Sequence, residues 1–447
     1  NGGKAWNPRT LVSLLKACAT KRDLQRGCQI HASIVEKRLL GKDAYLGSAL
    51  VSMYAKCGSI GKAREVLGAL SVRDVVSWTS LIAGFVENGN CEEALNYTEQ
   101  MRHDNLSISS VAAIFCLKSC AVIRDIEKGR EMHDIVTQKG FLEREVSIGS
   151  ALIDMYFKCG FLIEAQVVFD KLPIQCTASW TSLITGLIED GLNDEALKQF
   201  EGMQKKGVSP TAVTYVCFLK ACASVETVEK ARELHASIVK KGFLEDDYIG
   251  SALVDVYAKC RSIADARSVF NELSSQNVVS WTALIVGYTD CGQSEDALNC
   301  FKEMQCKGFC SATLTLICTL KACSNTRYIS QGQEIHAEIF QKGFEIELMV
   351  GHTLIDMYAK CGNLVDAYNV FIKLPTQTPI AWTVLISGFV EHGYVEEAVK
   401  CLEEMRYKDI FMDANILILS LNTWANLGAK SRGQQIHAQC VKMGIEN

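Results

Sequence analysis

The chain repeats itself, and the period limits what it can fold into. Tyr54-Ala55-Lys56-Cys57-Gly58 returns as Tyr156-Phe157-Lys158-Cys159-Gly160, Tyr257-Ala258-Lys259-Cys260 and Tyr358-Ala359-Lys360-Cys361-Gly362, at steps of 102, 101 and 101 residues. A Trp-Thr pair keeps the same register at Trp78, Trp180, Trp281 and Trp382, and a histidine does so at His31, His133, His235, His336 and His437. A Leu-Lys-x-Cys block adds a further phase through Cys18, Cys120, Cys222 and Cys323, with Trp424 in the fifth slot. Fixed-period self-similarity of this kind is the signature of a repeat array.

Each period holds three related units; in the second they run 110–145, 146–176 and 177–211, with lengths of 36, 31 and 35 residues. Inside a unit the pattern is helical. Leu50, Val51, Tyr54 and Ala55 mark one apolar face by their spacing, and Gly58 suits a left-handed helix end. A second helix is expected from Gly61 to Ala69, with Ala63, Val66 and Leu67 facing inward. In unit 177–211 the second helix is expected from Asp194 to Lys205, closed by Gly207-Val208-Ser209-Pro210. Hairpins this short cannot bury their own apolar faces and must stack. The expected fold is all-α, a right-handed superhelical solenoid of about thirteen hairpins. Its units are 8–43, 44–74, 75–109, 110–145, 146–176, 177–211, 212–246, 247–277, 278–312, 313–347, 348–378, 379–413 and 414–447, with 1–7 a disordered remnant.

Composition fits such an array. The 447 residues include 5 prolines and 32 glycines, which argues against a Pro-rich linker. No run of 18 apolar residues occurs, so no membrane-spanning helix is expected. The first residues, Asn-Gly-Gly-Lys-Ala-Trp, lack the apolar core of a signal peptide, and a cut or processed chain is expected. A net charge of −5 argues against indiscriminate nucleic-acid binding while leaving room for a local basic track. The 20 cysteines, scattered or recurring at the long period, read as small buried apolar residues in a reducing compartment.

Leu219-Lys220-Ala221-Cys222-Ala223, Leu234-His235-Ala236 and Lys241-Gly242-Phe243 stand in the long unit. Gly250-Ser251-Ala252-Leu253-Val254-Asp255-Val256-Tyr257-Ala258-Lys259-Cys260 marks the short unit. Val279-Ser280-Trp281-Thr282-Ala283-Leu284-Ile285 and Glu295-Asp296-Ala297 mark the standard one. In this order and spacing the chain resembles the plant pentatricopeptide-repeat family over residues 8–447, in the subclass that alternates standard, long and short units. The resemblance implies one-base-per-repeat reading of single-stranded RNA in a chloroplast or mitochondrion.

It also implies which residues read. The fifth and last residues of a unit would meet the base: Thr79/Ser109, Thr181/Thr211, Thr282/Ala312 and Thr383/Asp413 in standard units, and Ser48/Asp74, Ser150/Cys176, Ser251/Asn277 and His352/Thr378 in short ones. By the family's scheme Ser48/Asp74 and Thr383/Asp413 would read guanine and Ser251/Asn277 adenine. His352, Cys176 and Ala312 depart from its clear combinations. Second-position residues Tyr45, Val76, Tyr248, Val279, Met349 and Ile380 would sandwich bases. Long units place Val12, Ile114, Val216, Ile317 and Ile418 at the fifth position, where an aliphatic group cannot hydrogen-bond a base edge. They read as interface core, spacers, apolar floors under a base, or a dock for an organellar editing cofactor protein.

Lys56, Lys158, Lys259 and Lys360 recur near the end of the first helix of short units, as candidate phosphate contacts or as favourable charges at a helix C-terminus. No catalytic residue, cofactor or metal is expected. His336-Ala337-Glu338 has the His-x-Glu form of a zinc deaminase, yet it occupies the repeated histidine slot and no Cys-x-x-Cys occurs in the chain. The leading expectation is sequence-specific RNA binding as the specificity factor for C-to-U editing, with catalysis outside this chain. The alternatives are a protein-binding helical scaffold, or an organellar splicing, processing or stability factor.

Overall fold

The computed structural model describes residues 7–37, 39–40, 44–70, 72–344, 347–408, 410, 414–426, 428 and 434. Among them every regular element is helical, and they form an all-α solenoid of about thirteen tandem helical hairpins with no β-sheet. Two compact units divide the chain, Asn1–Ala221 and Cys222–Asn447.

Helix lengths differ from hairpin to hairpin. In unit 278–312 both helices have 13 residues, Val278–Asp290 and Ser294–Cys306. In unit 247–277 the second helix, Ile263–Glu272, has 10. The first helix of unit 110–145, Ser110–Ile123, has 14, and an extra turn, Phe141–Arg144, follows its second helix. Asn7 belongs to the first hairpin rather than to a remnant: its side chain accepts a hydrogen bond from the Arg9 amide and caps Pro8–Lys21.

The apolar faces are buried as the spacing requires. Leu50, Val51, Tyr54 and Ala55 are interior, as are Ala63, Val66 and Leu67 on the partner helix Ile60–Ala69. Each such leucine or valine contributes roughly 1.5–3 kcal/mol relative to exposure. Trp281 and Trp382 are fully buried, each meeting a phenylalanine edge-on at 4.5 Å, Phe270 and Phe371. Neighbouring first helices approach closely because the standard helix turns a glycine toward the short one. A Cβ on Gly287 would stand 2.6 Å from the Ala258 Cβ. The hairpin turns of short units use left-handed backbone, at Gly58, Gly160 and Gly362; in the third copy Arg261 takes this conformation at φ 57°.

Two recurring polar contacts join long units to short ones. Nδ1 of His31, His133 and His336 lies 2.8 Å from the hydroxyl of Tyr54, Tyr156 and Tyr358, and His235 lies 3.2 Å from Tyr257. Burial lowers the pKa of His31, His133 and His235, favouring neutral rings. His437 lies outside the described residues. The thiols of Cys57, Cys159, Cys260 and Cys361 point at the carbonyl oxygens of Cys18, Cys120, Cys222 and Cys323, at 3.8–4.0 Å. So the repeated histidine, tyrosine and both repeated cysteines serve one long-to-short joint. All described cysteines are free, and burial raises the Cys57, Cys159, Cys260 and Cys361 thiols, which disfavours thiolate chemistry. The repeated cysteines of the short units are half-buried rather than fully interior.

Candidate nucleic-acid interface

The fifth residue of a short or standard unit sits one turn into its first helix, and the last residue stands at the start of the next first helix. Helix geometry dictates both environments. A threonine or serine inside a helix can return its hydroxyl proton to the carbonyl four residues back. Thr79, Thr181, Thr282 and Thr383 donate to Val75, Thr177, Val278 and Pro379 at 2.6–2.8 Å, and Ser251 donates to Asp247 at 2.7 Å. The last residue is the N-cap of the following helix, which must satisfy an orphan amide. Asp74 accepts from the Ser77 amide at 2.8 Å and Asn277 from the Ser280 amide at 2.9 Å, each within a capping box.

These two demands bring several proposed reading pairs together. Ser251 Oγ accepts from Asn277 Nδ2 at 3.0 Å. Thr79 and Ser109 hydroxyls meet at 3.3 Å, and Thr378 Oγ1 lies 2.8 Å from His352 Nε2. Burial holds the His352 pKa below its usual value. Thr181 and Thr211 join through a third hydroxyl, Thr214, at 2.9 Å from each. Ser48 donates to the Tyr45 carbonyl at 3.2 Å, while Asp74 is engaged with Ser77. Other pairs stay apart. Ala312 has no polar group, and Thr282 instead meets Thr315 at 2.7 Å. The Ser150 hydroxyl is buried with no hydrogen-bond partner among the described residues, and the Cys176 thiol accepts from the Ser179 amide at 3.4 Å. Asp413, the partner proposed for Thr383, lies outside the described residues.

Beside these polar groups stand exposed apolar ones, an arrangement unfavourable in water unless something covers it. Tyr45 and Tyr248 are 77% and 82% exposed, and Val76, Val279, Met349 and Ile380 are exposed likewise. The same feature occurs in long units at Val111, Val213 and Leu314, which the sequence reading did not include. Their signal was present: each holds the second position in register with Val76 and Val279. The fifth positions of long units are uneven, Ile317 being buried and Ile418 49% exposed.

The candidate phosphate lysines are exposed but mostly paired. Lys158, Lys259 and Lys360 bridge Asp154, Asp255 and Asp356 one turn earlier, at 2.9–3.1 Å. Lys56 has Ser52 in that place. Beside the caps, Lys206, Lys307 and Lys408 donate to Gln175, Gln276 and Gln377 at 2.6–2.8 Å, with each ammonium 5.1–5.5 Å from a tryptophan ring. In the first period an Arg73–Asp104 ion pair at 3.9 Å takes this place. Among the described residues no group of three or more His, Cys, Asp or Glu is placed to hold a metal ion, and no helix is long and apolar enough to cross a membrane.

Comparison with known proteins places the arrangement. The sequence model of the PPR repeat family matches residues 175–224 and 276–325, and that of the PPR repeat matches 76–106, 150–173, 251–278, 352–376 and 380–410. A chloroplastic pentatricopeptide repeat-containing protein of Arabidopsis thaliana is 31% identical over 427 residues, covering 96% of this chain and 69% of that protein. A mitochondrial one from the same plant is 34% identical over 82% of this chain and 35% of its own length. A second chloroplastic one is 32% identical over 97% of this chain and 53% of its own length. The chain thus spans 35–69% of these relatives. The crystal structure of the maize pentatricopeptide repeat protein PPR10 shares the fold, with TM-score 0.59 and 17% identity, over 99% of this chain and 70% of that one. PPR10 in complex with an 18-nt psaJ RNA element also superposes with TM-score 0.59, at 15% identity, over all of this chain and 81% of that one. Matched repeats along the array, a relative covered over two thirds of its length and the shared solenoid agree: the chain belongs to the pentatricopeptide-repeat family.

Proposed function

We propose that the chain binds single-stranded RNA in a chloroplast or mitochondrion, one base per short or standard unit, as an array of alternating standard, long and short repeats. Its biological task on this reading is to choose the site of C-to-U editing, the reaction itself being carried out elsewhere than in these residues. One observation carries the reading: a polar fifth residue meets a polar last residue beside an exposed apolar second residue, most completely at Tyr248, Ser251 and Asn277. A base laid on the apolar group would bring its Watson–Crick edge to the polar pair, which is how single-stranded RNA is read with sequence specificity. The maize protein PPR10, whose RNA complex shares this fold, and organellar relatives from Arabidopsis thaliana support RNA as ligand and an organelle as compartment.

The test begins with selection of a bound sequence from random single-stranded RNA, followed by titration against RNAs that differ at one base. A preferred sequence with about one specified base for each short or standard unit is expected. Equal binding of RNA and an unrelated acidic polymer would favour a protein-binding scaffold instead.

A further inference from the structure

Unit 177–211 ends in a threonine, a pairing to which the family's scheme gave no base here. Its hydroxyl protons can nevertheless be followed one by one. Thr181 donates to the Thr177 carbonyl at 2.8 Å, so its oxygen can only accept from elsewhere. Thr214 lies 2.9 Å from it and therefore donates to it. With that proton spent, Thr214 can only accept from Thr211, also at 2.9 Å; it accepts from the Thr211 amide at 3.2 Å as well. A hydroxyl has one proton and two acceptor sites, so Thr214 is saturated. It is also fully buried, out of reach of any ligand. Thr211 has given its proton to Thr214, and accepts from the Thr214 amide at 3.4 Å. One lone pair remains on Thr181 and one on Thr211, and neither has a proton to offer.

We propose that this relay, Thr211 to Thr214 to Thr181 to the Thr177 carbonyl, makes unit 177–211 an accept-only reader that selects guanine, with Thr214 as the positioning residue. The proposal rests on the base-reading role proposed above. Two adjacent acceptors match two adjacent donors, and on a Watson–Crick edge only guanine offers them, at N1–H and the 2-amino group. Adenine and cytosine place a ring acceptor beside their amino group, and uracil flanks its single N–H with carbonyls. The threonine pair thereby imitates a carboxylate, which also only accepts. Unit 278–312 is a natural contrast. Thr282 is held by Thr315 at 2.7 Å in the same manner, but Ala312 supplies no second acceptor, so weaker selection is expected there.

The experiment uses the full chain and, once the binding register is known, four RNAs differing only at the nucleotide opposite unit 177–211. Guanine should bind roughly tenfold better than the other bases, the scale of one to two net hydrogen bonds. Thr214→Val removes the relay hydroxyl and releases the Thr211 proton outward; it should bring the guanine ratio near unity at this nucleotide alone. Thr214→Ser should restore the preference. A valine variant that melts at the wild-type temperature with its guanine ratio intact overturns the proposal, as does wild-type preference for another base. If Thr214→Val fails to fold, Thr211→Val, which removes the exposed acceptor, must lower the guanine ratio or the proposal falls. Asn277→Asp measured alongside separates the failures. If it changes base preference at its own unit while Thr214→Val changes none, the relay is wrong and base reading stands; if neither changes any base ratio, base reading itself is wrong.

Discussion

In unit 44–74 an aspartate caps the following helix, and in unit 247–277 an asparagine does. Both units carry an exposed tyrosine at the second position, Tyr45 and Tyr248, and a buried serine at the fifth, Ser48 and Ser251. Both caps close a capping box with a serine, Ser77 or Ser280. The surroundings differ in charge. Arg73 and Asp104 flank the first cap as an ion pair, whereas Gln276 and Lys307 flank the second as a hydrogen bond. Lys259 is tied to Asp255, and the corresponding Lys56 faces Ser52. Folding therefore demands an acceptor at the cap, which both residues supply equally well. What they offer a ligand is different. Asn277 retains one amide proton beyond the one given to Ser251, and an ionised Asp74 has none. On the proposed reading the same position would serve stability and recognition, and the two can be changed separately.

Exchanging the caps should give the largest effect. Asn277→Asp should move its unit from adenine toward guanine and Asp74→Asn the reverse, each shifting the base ratio roughly tenfold to a hundredfold. Both variants should melt within a degree or so of wild type because the N-cap bond survives. A base shift with a large loss of stability would mean that the cap, not the base edge, was altered.

Tyr45→Ala and Tyr248→Ala come next. Stacking of a base on an aromatic ring is worth about 1–3 kcal/mol, so each should weaken every RNA about tenfold without changing base ratios. Unequal losses at the two units would break their equivalence. Arg261→Gly sharpens the comparison at the hairpin turn, where unit 44–74 has Gly58. Removing a side chain from left-handed backbone should stabilise the array by roughly 0.5–1 kcal/mol in denaturant titration.

The lysines should differ by less. Lys56→Ala should flatten the dependence of log affinity on log salt by about 0.7, the value for one phosphate on a single strand. Lys259→Ala should flatten it less, because Asp255 already competes for that ammonium. Equal slopes would show that the ion pair opens freely.

The smallest difference is expected with pH. His31 is pushed below its usual pKa by burial and then by Lys62, while His235 is lowered by burial against the opposing pull of Glu272 and Asp265. The unfolded chain binds these protons first, so stability falls as pH drops below about 6.5. Amide protection in Ala44–Lys56 and in Asp247–Lys259, corrected for intrinsic exchange rates, should fall in both on acidification. On the alkaline side burial pushes Tyr257 up to about 12, so stability should also fall as pH rises from about 10 toward that value.

Much of this fold was legible in the sequence. The apolar residues Leu50, Val51 and Tyr54 sit where helical spacing put them, and Gly58 turns the chain in the left-handed region expected of it. The proposed reading residues were legible only as a register. Several of the pairings that the resemblance implied come together, because a fifth residue and the next helix cap are neighbours in any such stack. The Lys158–Asp154 pairing follows from i, i+4 spacing and was also open to reading. The exposed Val111, Val213 and Leu314 were harder, since an aliphatic residue in an amphipathic helix looks like core until the packing direction is known.

The sequence by itself determined an all-α stack of about thirteen tandem hairpins, because periodic apolar faces and short turns leave no other way to bury the chain. Tertiary structure alone decided which polar groups meet across hairpins. Thr214 looks like any helix-starting threonine until Thr181 of the preceding hairpin is placed 2.9 Å away, and so does Thr315 until Thr282 is found 2.7 Å from it. Hydrogen bonds between hairpins depend on distances of a few tenths of an ångström across residues more than thirty apart in the chain. Local propensity does not encode those distances; the packing of one hairpin on the next does.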